Sequence, residues 1–165
     1  MKPSPLALQR FADKWGHPDY PPDAVDSGDM AIAEHRIGRR LPEAYLRAIF
    51  EVGLPQPTLS LLTSLIEADA EASDIGSFFT PEEIVAGLDD YRTGETPASY
   101  VAFASDSIGD RYGFLCPPSR EARPAEGAVL RMDHETGEVE EVAGSFLEWL
   151  LHYNAVAFVH FDDVS

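Results

Sequence analysis

From residue 99 to residue 143 the chain is built of short apolar and aromatic runs cut by turn residues: SYVAFAS, DSIGD, RYGFLC, a polar loop, AVLRM, DHETGE and VEEVA. Short β-type runs separated by turn signals predict a meander, each strand folding back on the one before it. Asp133 to Glu138 carries His134, Thr136 and Gly137 between two of these runs, the composition of a hairpin loop with glycine at its strained position. The Pro117 to Gly127 loop, PPSREARPAEG, is polar and proline-bearing and is expected to be mobile.

The flanks have helical texture. Leu6, Leu8, Phe11, Ala12 and Trp15 recur at roughly helical spacing before Gly16, predicting an opening amphipathic helix. Residues 17–29, HPDYPPDAVDSGD, predict a loop over the surface. Residues 30–53 read as helix, turn and helix: Gly38 punctuates, Pro42 suits a first helical turn, and Leu41, Tyr45 and Ile49 share a face. Gly53 then ends the second helix, and Pro55 and Pro57 keep it ended. The SLLTSLIEA stretch fits both a short strand and a helical turn, and the reading leans to a strand.

Thr80-Pro81-Glu82-Glu83 has the spacing of a capping box and predicts a helix with Ile84, Val85 and Leu88 on its apolar face, Tyr91 near its end and Gly94 as terminator. Ser145-Phe146-Leu147-Glu148 repeats that spacing, and Phe146, Trp149, Leu150 and Tyr153 then share one helical face. The run AVAFVHF after Asn154 either extends this helix or forms a last strand, and its Val and Phe content favours the strand.

A chain of 165 residues suits one domain spanning 1–165. Its 12 basic and 29 acidic side chains leave a formal charge of −17, which repels a phosphate backbone and attracts basic proteins. Nucleic acid is therefore an unfavourable direct partner. Cys116 is the single cysteine, so no intramolecular disulfide and no Cys/His zinc pattern can form, and it reads as a buried structural thiol. No signal-peptide-like run opens the chain and no apolar stretch reaches the ~18 residues of a membrane span, so a soluble cytoplasmic protein without a membrane partner is expected.

The five histidines lack ligand spacing. His160 with Asp162 and Asp163 comes nearest and is better explained as a polar tail, so no metal is expected. Asp106-Ser107-Ile108-Gly109-Asp110 fails as a calcium loop and reads as a turn whose aspartates cap backbone N–H groups while Gly109 supplies positive φ. Nucleotide-binding glycine motifs and a nucleophile elbow are absent, so no cofactor is expected.

Several blocks occur in a familiar order. Glu34-x-x-Ile37-Gly38-x-x-Leu41-Pro42-Glu43-x-Tyr45, followed by Ile49, Phe50 and Gly53, resembles the opening signature of the SUKH superfamily, which contains fungal cell-wall-assembly regulators and many bacterial immunity proteins. Tyr100 to Ser105 with Asp106, Gly109, Asp110 and Tyr112 resembles its central strand-turn-strand. Val129 to Asp133, then Ala143-Gly144-Ser145-Phe146-x-Glu148-Trp149-Leu150, resembles its closing strand and helix. The resemblance covers about residues 29–151, with the helix and loop of 1–28 packed on that core. It implies an α+β domain, helices packed around a mainly antiparallel sheet, with no catalytic residues to carry over.

Physically, the motif residues read as mainly structural: Gly38 permits a tight turn, Pro42 begins a helix, Leu41 and Tyr45 enter the core, and Gly109, Ser145, Phe146 and Trp149 serve turn, cap and packing. Two assignments stay open for Glu34, acceptor for backbone N–H groups at a helix start or ion-pair partner of Arg39 or Arg40.

The resemblance implies a non-enzymatic protein-binding domain, an immunity protein that neutralises a cognate basic toxin by occlusion. The alternative is a regulatory interaction module like the cell-wall-assembly regulators; a small carboxylate hydrolase is the least favoured of the three. Candidate partner contacts are Glu67, Asp69, Glu71 and Asp74, with Asp106, Asp110, Asp162 and Asp163.

Overall fold

The meander forms where the turn residues place it. In the computed structural model, which describes residues 1–90 and 94–160, β2 (Tyr100–Ser105), β3 (Arg111–Leu115), β4 (Val129–Met132) and β5 (Val139–Ala143) follow one another in a sheet. A two-residue strand that the sequence did not reveal, β1 (Ser77–Phe78), pairs with β2 to complete the order β1-β2-β3-β4-β5. Every pairing is antiparallel, and β1 and β5 are the edges. With the helices around it, the fold is α+β.

Among the described residues six helices accompany the sheet: α1 (Pro3–Trp15), α2 (Ser27–Ile37), α3 (Glu43–Val52), α4 (Leu59–Glu67), α5 (Pro81–Asp90) and α6 (Phe146–Asn154). Aromatic rings fix where three of them sit. Phe103 of β2 and Phe114 of β3 stack with centroids 4.6 Å apart, and Tyr45 of α3 lies 5.2 and 5.5 Å from them. From α6, Phe146 and Trp149 meet Phe103 edge-on at 5.7 and 5.2 Å, while Phe11 of α1 meets Phe78 at 5.6 Å. These rings are almost wholly out of water, and such large apolar surfaces dominate core energetics. Elsewhere α5 packs on β2 and against α2. Gly113 carries no side chain because the Tyr100 ring lies on it: a Cβ there would stand 2.6 Å from Tyr100 Cζ.

Both capping boxes form, with one variation. Thr80 N–H donates to Glu83 Oε1 (3.1 Å) and Glu83 N–H to Thr80 Oγ1 (3.2 Å). At α6, Glu148 N–H donates to Ser145 Oγ (3.1 Å), but the Glu148 carboxylate reaches past Ser145 to accept from Gly144 N–H at 2.7 Å. Tyr91, expected near the end of α5, lies outside the described residues.

Three expectations are corrected. The SLLTSLIEA stretch is not a strand but most of α4. Leu61, Ser64 and Leu65 are buried on one side while Leu59 and Ile66 face solvent, a helical division that a nine-residue run in which leucine and isoleucine alternate irregularly with serine and threonine does not announce. The 155–160 stretch is neither helix nor strand. It is held as a strap: Lys14 Nζ donates to Val156 O (2.5 Å), Val159 N–H donates to Ser64 Oγ (2.8 Å), and Phe158 stacks on Trp15 at 5.6 Å.

The Pro117 to Gly127 loop is fastened rather than free. Pro42 caps α3 without a side-chain acceptor, so the first N–H groups of that helix need other partners. The loop supplies them: Glu43 N–H donates to Pro124 O (2.9 Å) and Ala44 N–H to Ala125 O (3.0 Å). Arg123 locks the arrangement by a bidentate pair with Glu34, Nη1 to Oε2 at 2.6 Å and Nη2 to Oε1 at 2.8 Å, while its Nη1 also donates to Leu41 O. Leu41 N–H donates to the same Glu34 carboxylate at 2.7 Å. Glu34 thus bonds backbone just ahead of α3, as one of its open assignments had it, but its ion-pair partner is Arg123, remote in sequence, rather than Arg39 or Arg40. Gly38, at φ +69°, turns the chain into this clasp.

Among the described residues no helix is long and apolar enough to cross a membrane.

The clasp is testable. Arg123→Ala removes charged hydrogen bonds from a mostly buried pair and is expected to cost about 2 kcal/mol of stability. Glu34→Gln should cost less, because its amide oxygen can still accept from Leu41 N–H. Urea unfolding of the three proteins checks the order.

Candidate functional site

The polar end of the sheet is built from two turns and a loop. In the β2–β3 turn, Asp106 Oδ1 accepts from Ile108 N–H (3.0 Å) and Asp110 N–H (2.9 Å), while Gly109 takes φ +102°. In the β4–β5 hairpin, Asp133 Oδ1 accepts from Glu135 N–H (2.7 Å) and Thr136 N–H (3.1 Å), and Gly137 takes φ +79°. Arg131 of β4 joins the turns by reaching Asp110 Oδ2 at 2.7 Å and Asp106 Oδ2 at 3.1 Å. His134 completes the knot, its Nδ1 on Asp110 Oδ1 at 2.5 Å and its backbone N–H donating to the same oxygen at 3.1 Å.

The segment after α4 is tied to this knot. Just past α4, Asp69 takes the left-handed region at φ +51°, and its side chain is exposed. Asp74 accepts from both the backbone N–H (3.0 Å) and the hydroxyl of Ser107. From the core side, Tyr153 Oη donates to Ser73 O at 2.7 Å and Tyr112 Oη lies 3.1 Å from the carbonyls of Ser73 and Asp74. Burial pushes both phenols well above their ordinary pKa, so they remain neutral donors and hold the segment at any working pH.

Between this segment, β5 and α6 lies a cleft of ≈ 290 Å³. Tyr112, Trp149 and Tyr153 form its aromatic walls, Glu71 stands on one bank, and Glu140 and Glu141 on the other. Strand register explains part of this: Tyr112 pairs across to Arg131, and Arg131 to Glu140, so the three form one row on one face.

The expected contact residues divide. Glu67, Asp69 and Glu71 are exposed and close together in sequence, and Glu71 lines the cleft. Asp74, Asp106 and Asp110 are only 5–7% exposed, and their oxygens are engaged by the turns described above, which leaves them little to offer a partner. Asp162 and Asp163 lie outside the described residues. Arg131, Glu140 and Glu141, which frame the cleft, were not among the expected residues; only the strand register brings them there. Of the motif residues, Tyr45, Phe146 and Trp149 are core rings, Leu41 and Pro42 are buried, and Gly109 and Ser145 make the turn and cap described above.

Asp110, Asp133 and His134 each bring one possible ligand atom within 4.8 Å of the others. A cation there would have to displace Arg131 and His134 from the two oxygens of Asp110. The Cys116 thiol is pushed up to about 12, chiefly by burial, so it is no nucleophile at neutral pH.

Charge in the knot is mutual. The hydrogen bond to Asp110 raises His134 above its ordinary 6.5. Burial works to raise Asp110, but the bonds from His134 and the charge of Arg131 outweigh it and hold the carboxyl below its ordinary range. The His134 contribution to stability is therefore complete below the ordinary histidine pKa and is lost as pH rises through the raised value. Asp110 contributes above its ordinary pKa and loses that contribution as pH falls through the depressed one. His134→Ala should lower the melting temperature more at about pH 5.5 than at about pH 9, and thermal scans at the two values check the sign.

A model described as the SMI1 / KNR4 family (SUKH-1) matches residues 24–152, from just ahead of α2 to within α6. This contains the clasp, the whole sheet and the cleft apart from Tyr153, and leaves α1 outside. No curated protein matches the chain.

Proposed function

The chain belongs to the SMI1/KNR4 family (SUKH-1), and on that premise we propose that it is a non-enzymatic protein-binding domain, a bacterial immunity protein that neutralises a cognate basic toxin by covering it. The observation that carries this reading is the division of the acidic residues. Those of the turns are engaged inside the protein, whereas Glu67, Asp69 and Glu71 after α4 and Glu138, Glu140 and Glu141 around β5 are exposed. Among the described residues none of these six makes an ion pair.

A surface of this kind steers a basic protein into contact and presents it with the negative charge that a nuclease expects of its substrate. Carboxylate catalysis would need a free acid or base titrating near the working pH. Asp110 is held well away from that range by its partners, and the oxygens of Asp74 and Asp106 are occupied by turn amides and by Arg131. The family also supports the alternative reading, a regulatory interaction module.

Co-expression with the toxin encoded beside this chain tests the proposal. The expected outcome is restored growth and a complex that survives affinity purification. No rescue and no complex contradict it, and capture of wall-synthesis or signalling proteins in place of a toxin would favour the regulatory module.

A further inference from the structure

We propose that α4 pairs two copies of this chain, its outer stripe lying antiparallel against the same stripe of a second copy. Successive helical residues turn by about 100°, which puts Leu59, Leu62 and Ile66 in one narrow sector and Leu61, Ser64 and Leu65 on the opposite side. The inner three are buried. Of the outer three, Leu59 is 57% and Ile66 67% exposed and Leu62 is half-buried, so α4 is apolar on both faces and packs against the protein with only one. Single exposed leucines are ordinary on a protein surface, but three in one stripe form the contiguous apolar area that marks a contact with another protein.

Two features of α4 specify a second copy as the occupant. The stripe matches itself about a point between Leu62 and Thr63: with a two-fold axis there, Leu59 of one copy meets Ile66 of the other, and Leu62 meets Thr63. The helix ends match as well. Thr58 gives its hydroxyl to Trp15 O (3.0 Å) and caps nothing, and the first turn holds no acidic residue. Among the described residues the N–H groups of Leu59 and Ser60 make no hydrogen bond. The same register brings exposed Glu67, the last residue of α4, to the level of the second copy's Thr58, where its carboxylate meets the positive end of that helix. Each copy thereby supplies the acid that the other's first turn lacks.

The test is the oligomeric state of the full chain. Sedimentation velocity from about 10 µM to 1 mM protein should show the mass rising from the monomer toward twice that value. Two copies at −17 each repel, so raising sodium chloride from about 0.05 to 0.5 M should shift the balance toward the dimer. Leu59→Asp places an acid at an exposed position in a first helical turn, where it supports its own helix, and should weaken dimerisation at least about tenfold by removing the contact with Ile66. Cysteine pairing under oxidised glutathione reads the register. A mixture of Leu59→Cys and Ile66→Cys should form a disulfide-linked dimer. Either variant alone should not, because its two thiols stand about 10 Å apart along the helix axis. Cys116 is buried and takes no part.

A mass that stays at the monomer throughout, an unchanged equilibrium in Leu59→Asp, or linkage as efficient within each cysteine variant as between the two would overturn the proposal. A monomer whose stripe becomes protected only when another protein binds overturns it too, and assigns the stripe to that protein.

Discussion

The guanidinium of Arg131 is the counter-charge shared by two carboxylates, Asp106 and Asp110, that sit only 5 and 6% exposed at the end of the sheet. Removing water from a carboxylate costs several kcal/mol unless a charge and hydrogen bonds replace it, and here one side chain supplies the charge for both. The turns between β2 and β3 and between β4 and β5 can close against each other for that reason. Asp74 then ties the segment after α4 to the same turn through Ser107, and the phenols of Tyr112 and Tyr153 hold it from the core side. The cleft follows from these ties, since one bank is the tethered segment and the other is the strand paired with Arg131.

The same arrangement sorts the acidic residues by what they do. A net charge of −17 is by itself a statement about solubility and steering. Pairing sorts it: the buried aspartates are neutralised or bonded within the protein, so the outward field comes from the exposed acidic residues, among them Glu67, Asp69 and Glu71 after α4 and Glu138, Glu140 and Glu141 around β5. Charge on β5 has a second consequence, because an edge strand offers unpaired backbone groups and exposed Glu140 and Glu141 discourage indiscriminate pairing with other strands.

Much of the fold was legible because local chemistry decides it. The strands of the meander, the capping boxes at Thr80 and Ser145 and the turn at Gly109 each depend on neighbours within a few residues, and all formed. The SLLTSLIEA stretch was misjudged because leucines mixed with serine and threonine carry little periodicity over nine residues, and β1 was missed because two residues carry no pattern at all. The clasp was half legible: Gly38, Leu41 and Pro42 mark the corner, but Arg123, 89 residues from Glu34, lies in a loop whose proline content suggested mobility. The candidate surface was legible only as composition. Which aspartates are buried, and that Tyr112, Arg131 and Glu140 fall in one row, depends on strand register, and register is a property of pairs of strands that no single run displays.

Surface charge as the driving feature of recognition has a direct kinetic signature. The association rate of this chain with the basic toxin proposed as its partner, followed by stopped-flow fluorescence over a series of sodium chloride concentrations, isolates it, because exposed charges are screened within about 8–10 Å at physiological ionic strength while apolar contacts are not. The account predicts a rate constant that falls steeply, by tenfold or more between about 0.02 and 0.5 M salt, with a much smaller change in the dissociation rate. An association rate that does not change with salt would contradict it and return the negative charge to the role of keeping the protein in solution.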